Sequence, residues 1–291
     1  MSDTETLYEL SNCEIMRYET DSEHFYYGGL IGEEKQYYLS VTQTIDIGGP
    51  VPEGLREYWR VTSYEESKER LQMTGDRGSK LHDALDQLMR AKKLDLKNDY
   101  RSTFEKAGIA MFIRFIRFLD PGKYFTELIV ADPDLRVAGT LDFKGYVEEW
   151  RLECLLDPNK YLNIDSEGDV QLKEKWLDLP SKKRVHIIID WKFSARNAYS
   201  HKIQVAAYKT MNNKTRKGSP VTRAFTWRYS PKHKHGFDFS ESLLTYKSFK
   251  RIYETAIEYL GNFPAPPSLT RYPDSVQLYI KKEKGKKEWA K

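Results

Sequence analysis

The run Val185-His186-Ile187-Ile188-Ile189, closed by Asp190-Trp191-Lys192, constrains this chain most. Consecutive β-branched, apolar residues suit a strand with helices packed over it, not a strand with one face in water. Side chains alternate across a strand, so Asp190 and Lys192 share a face and Trp191 points the other way. A carboxylate and an amine therefore emerge together at the end of a buried element.

Around this strand the punctuation predicts an α/β chain. A helix is expected from about Thr62 to Gln72. After Gly75-Asp76-Arg77-Gly78-Ser79, a second helix capped by Asp76 or Ser79 runs through Leu81, Leu85 and Leu88. Ser102 to Leu119 reads as a further helix. Tyr124 to Val130 and Leu135 to Tyr146 read as a hairpin turning at Asp132-Pro133-Asp134. Later come a helix from about Ala198 to Met211, a strand from Val221 to Tyr229 and a helix from Glu241 to Leu260. The order predicts a mixed central β-sheet flanked by helices. Residues 1–61, with a strand over Tyr37 to Thr42, are expected to be an elaboration packed on a core of residues 62–263. Glu148 to Arg184 has no clean period and is expected to be an insertion, and residues 264–291 a basic tail.

Composition narrows the function classes. No run of eighteen apolar residues exists and the N-terminus is acidic, so no membrane partner is expected and the location is expected to be cytoplasmic. Two cysteines, Cys13 and Cys154, are too few for a disulfide scaffold or an iron-sulfur cluster and are expected to be free. The net charge is +4, and the last eleven residues, with six Lys and two Glu, account for all of it. Any basic groove must then arise from local arrangement.

Forty-eight residues before Asp190, Asp142 sits on a second strand in Gly139-Thr140-Leu141-Asp142, and Glu127 sits on the hairpin strand beside it. Two strands that each deliver a carboxylate to one point can hold a hard cation such as magnesium or manganese. Lys192 can then offset charge on a phosphate. Gln204 and Tyr208, at i and i+4, share a helix face with His201, while Ile203, Ala207 and Met211 form the apolar stripe. An isolated Asp-x-Lys is common, and a lone His82 beside Leu81, Leu85 and Leu88 is usually a packed or capping histidine.

Taken in order, these residues resemble the RecB-like branch of the PD-(D/E)XK nucleases, which includes lambda-type and mitochondrial genome maintenance exonucleases. The resemblance rests on His82 after Arg77-Gly78, Glu127, Gly139 with Asp142, Asp190 with Lys192, and Gln204 with Tyr208, and spans roughly Gly78 to Tyr229. It implies a deoxyribonuclease dependent on one or two magnesium or manganese ions, most simply an exonuclease of replication, recombination or repair. Asp142, Asp190, Lys192, Glu127 and Gln204 would be catalytic. Asp142, Asp190, the Trp191 carbonyl and His82 would hold metal, and Tyr208 would contact the nucleic-acid backbone. Arg223, Arg228, Lys232 and Lys234, which come after the last motif residue Tyr208, are candidate phosphate contacts, Arg228 foremost. The implied partners are DNA and a recombination or replication protein. The alternatives are a structure- or sequence-specific endonuclease, and an inactive DNA-binding partner protein.

Overall fold

The computed structural model describes residues 8–9, 13–19, 24–51, 53–164, 169–176, 181–193, 198–216 and 218–261. The predicted tail, 264–291, lies outside them. Within them the chain is a mixed α/β protein built on a nine-stranded sheet.

The central ladder joins β5 (Tyr124–Asp132), β6 (Val137–Glu148), β9 (Arg184–Lys192), β10 (Arg223–Tyr229) and β11 (Phe237–Glu241). Strands β5 and β9 both pair antiparallel with β6, β10 runs parallel to β9, and β11 returns antiparallel to β10. Ile187, Ile189 and Trp191 enter one core and Ile188 another, so the strand read from sequence is buried on both faces. The first core packs against α3 (Tyr64–Met89) and α4 (Thr103–Leu119), and the second against α1 (Val41–Gly48), α7 (Tyr199–Thr215) and α8 (Tyr246–Leu260).

The N-terminal residues do more than decorate. Strands β1 (Tyr8–Glu9), β2 (Cys13–Glu19), β3 (His24–Leu30) and β4 (Gln36–Ser40) form an antiparallel meander, and β4 joins β6 in parallel at Leu39 and Ser40. Cys13 and Ile15, on one face of β2, pack with Tyr26, Tyr38, Ile129, Ala131 and Ala138 in a third apolar cluster. Both cysteines are free and buried, as expected.

Two helices expected before Leu88 are one. The helix α3 runs unbroken for 26 residues through Gly75 and Gly78, capped by Ser63 and preceded by the short helix α2 (Glu53–Val61). Neither glycine has any side chain within reach of its missing Cβ, so nothing forces the chain to turn there. The segment 148–184 is also ordered over its described parts, as α5 (Glu149–Leu156), α6 (Pro158–Tyr161) and the hairpin of β7 (Leu162–Ile164) with β8 (Val170–Leu172). Leu152, Leu155, Leu162 and Val170 lie in the main core, which fixes this stretch to the sheet. The last helix begins at Tyr246, not Glu241, because Phe237 and Phe239 alternate inward on the edge strand β11.

Candidate functional site

The sheet register brings three acids into one row. In the β5–β6 ladder Thr126 faces Phe143 and Leu128 faces Leu141, so Glu127 stands opposite Asp142. In the β6–β9 ladder Phe143 faces Ile189, and the same register carried one step further sets Asp142 opposite Asp190. Neither acid pair is itself a rung of its ladder. Leu141 and Phe143 enter different cores, so the face alternation slips at Asp142. Glu127 has φ 51°, a left-handed conformation that is uncommon for a non-glycine residue and is held only by its surroundings.

Like charges opposite one another destabilise a sheet unless cations answer them. The Lys192 ammonium lies 2.7 Å from Asp190 Oδ2. That oxygen is sealed from solvent and receives no well-aligned hydrogen bond, so the contact is an ion pair with acceptor capacity left over. From α3, His82 Nδ1 stands 3.3 Å from Asp142 Oδ1, its ring held edge-on by Phe193. Where the ladder stops, the backbone N–H of Trp191 donates to Asp142 Oδ2 at 2.6 Å. The Trp191 ring lies in the aromatic core against Phe112 and Phe143, so its side chain is remote from this chemistry and its backbone is not.

These neighbours drive the acids apart in acidity. Burial pushes the Asp190 carboxyl up to about 6 against the pull of Lys192, with Asp142 adding to the rise. Burial likewise lifts Glu127 to about 7, and Asp142 again adds to it. At Asp142 burial also acts upward, but His82, Lys192 and the Trp191 N–H outweigh it and hold the carboxyl below its ordinary value. The same pairs raise His82 and Lys192 above their ordinary values, against burial. Diverging values in one cleft are a mark of functional sites, though ion-pair networks also produce them.

Glu127, Asp142, Asp190, Lys192, His82 and Gln204 all line one cleft of about 920 Å³, as does Tyr208. Tyr208 is nearly buried: its ring covers Gly139, where a Cβ would come within 2.6 Å of Cε1, and its hydroxyl accepts from Gln204 Nε2 at 2.9 Å. Tyr208 therefore serves as packed wall, and Gln204 is the polar tip that its hydroxyl orients. Arg228, in register with Lys192 on β10, does not line the cleft and pairs with Asp238. Arg223 is held by Glu241 and Glu153.

The cleft also contains residues that the sequence did not single out. Arg17 on β2 reaches Thr140 Oγ1 at 3.3 Å and Glu127 Oε2 at 3.6 Å, and Tyr26 meets Thr140 at 2.9 Å. Nothing local points from Arg17 to Thr140 or Glu127, which lie more than a hundred residues away in the chain.

Hard carboxylate oxygens, one with spare acceptor capacity, fit a divalent cation such as magnesium or manganese. Among the described residues no three His, Cys, Asp or Glu side chains converge into a ready-made cage. Asp142 and Asp190 are instead paired with His82 and Lys192.

No family model matches this chain, and no curated protein matches it. It is similar to the protein SSO0001, known from a crystal structure, with 13% identity, 63% of this chain and 86% of that one covered, and a TM-score of 0.26. A likeness at that level carries no argument. Among the described residues no helix is long and apolar enough to cross a membrane.

Proposed function

We propose that this protein is a metal-dependent deoxyribonuclease of the RecB-like PD-(D/E)XK kind, acting as an exonuclease in DNA replication, recombination or repair. The observation that carries the reading is the row Glu127, Asp142, Asp190 across three adjacent strands, with Lys192 beside it in the same cleft. Asp142 and Asp190, joined by the Trp191 carbonyl and His82 as the resemblance implies, would hold magnesium or manganese. The bound ion would polarise the phosphate and lower the pKa of a coordinated water.

The chain's own groups do the rest. Lys192 sets a compact, charged donor where negative charge grows on the phosphate oxygens. Glu127, with its carboxyl near 7, can take up a proton at neutral pH. Gln204, held by the Tyr208 hydroxyl, presents an amide to the substrate at fixed angle. Burial of both aspartates keeps the site drier than the surface, which strengthens each of these interactions.

One observation favours a second reading. Asp142 is already paired with His82 and Asp190 with Lys192, which occupies oxygens that a cation would need. A time course with end-labelled linear and with circular DNA, in magnesium, manganese or chelator, separates the possibilities. Metal-dependent loss of linear DNA only is expected, cleaved circles would make the protein an endonuclease, and binding without product would favour the inactive reading.

A further inference from the structure

The cleft has two walls of different origin. One is the row of acids with Lys192; the other comes from the N-terminal meander, outside the region that carries the resemblance. Along β2, Cys13, Ile15 and Arg17 share a face: the first two are buried in the apolar cluster beneath, and the third reaches the cleft. The register sets Arg17 opposite Tyr26, and both side chains converge on Thr140 of β6. The hairpin is fixed closely, since a Cβ on Gly28 would fall 2.0 Å from the Glu14 carbonyl oxygen. Arg17 is thus a guanidinium held on a sheet continuous with the catalytic strands, only part-exposed, with Glu127 3.6 Å away.

A planar guanidinium presents paired donors that match phosphate oxygens, and it keeps its charge at any working pH. It stands across the acids from Lys192, where the acids alone would repel a polyanion. We propose that Arg17 contacts a backbone phosphate of the nucleic-acid strand bound in this cleft, so that the N-terminal meander is part of the substrate site. The assignment rests on the nuclease reading for the class of ligand. In the absence of strand, Arg17 stays with Thr140 and Glu127. With a strand bound, the phosphate competes with Glu127 for the same donors.

The test is binding of a fluorescein-labelled oligothymidylate in chelator, measured by anisotropy across about 50 to 200 mM salt. Each phosphate contact to a single strand contributes about 0.7 to the slope of log affinity against log salt, so Arg17→Ala should lower the slope by about that amount. Arg17→Lys should restore it, which a loss of fold would not allow. An unchanged slope for Arg17→Ala in a protein that binds would overturn this assignment and leave the nuclease reading standing. Failure of Arg17→Lys to restore the slope would also overturn it, and absence of binding by the unaltered protein would overturn both.

Discussion

Placing a methyl group at position 139 tests the packing that holds the cleft. The missing Cβ of Gly139 would stand 2.6 Å from Tyr208 Cε1 and 3.2 Å from its Cζ and hydroxyl, so Gly139→Ala must move a ring that is 3% exposed. Overpacking a closed core costs about 1–3 kcal/mol. Displacing the ring also strains the 2.9 Å Gln204–Tyr208 hydrogen bond, a further loss of about 0.5–1.5 kcal/mol. Against this, Gly→Ala at a permitted backbone angle returns about 0.4–1 kcal/mol through the unfolded chain, and Gly139 does not have positive φ. The expected net loss is about 2 kcal/mol, read as a lower urea midpoint at constant m. In a Tyr208→Ala background the clash is gone, and the same substitution should be neutral or slightly stabilising, giving a coupling energy of about 2 kcal/mol. Equal losses in both backgrounds would refute the packing argument.

Other predictions concern charge. Glu127 has its carboxyl raised to about 7 from an ordinary 4.5, so between those values the folded state binds more protons than the unfolded one, and stability falls as pH rises. Relative to Glu127→Gln, the metal-free protein should therefore lose melting temperature from pH 5 to pH 7.5, and a parallel profile would contradict this. Because Asp190, raised to about 6, must release its proton to bind a cation, manganese affinity by calorimetry should rise from pH 6 to pH 8, with an observed heat that varies with the buffer's ionisation enthalpy. His82→Ala removes the Asp142 partner at 3.3 Å, so it should raise the Asp142 pKa, readable by carboxyl-carbon NMR, while leaving the helix content of circular dichroism intact. Asp132, fully buried, accepts from Lys214 at 2.8 Å and from the Tyr246 hydroxyl. Asp132→Ala should cost about 1–3 kcal/mol in chemical denaturation, the penalty for buried partners left unmade.

Much of the fold was legible because local signals agreed with the global arrangement. The isoleucine run gave a buried strand, Ser102 with Glu105 capped α4, and Asp132-Pro133-Asp134 turned the β5–β6 hairpin. Where signals conflicted, the larger structure won. Gly75 and Gly78 read as a break, but each costs about 1 kcal/mol in a helix interior, and the continuous hydrogen-bond ladder from the Ser63 cap outweighs it. Helix α1 was missed although Ser40 and Gln43 form a capping box that the sequence spells out. In the site, the motif pattern pointed to the acids, Lys192, His82 and Gln204, and these residues line one cleft. It could not show that Tyr208 is spent covering Gly139, that Arg228 is paired away with Asp238, or that Arg17 arrives from β2. Those facts depend on which strands become neighbours.

The central claim is that the paired strands carrying Asp142 and Asp190 hydrolyse DNA with a bound divalent cation. It is tested most directly by single-turnover cleavage of end-labelled linear DNA by purified wild-type, Asp190→Asn and Asp190→Ala proteins in manganese. Each should be checked for the wild-type circular dichroism spectrum, since Asp190→Ala leaves Lys192 without its partner. The account predicts metal-dependent product from the wild type and a loss of at least about a hundredfold in both variants, the scale expected when a group that stabilises charge at the reacting centre is removed. Cleavage at the wild-type rate by a folded Asp190→Asn protein would contradict it.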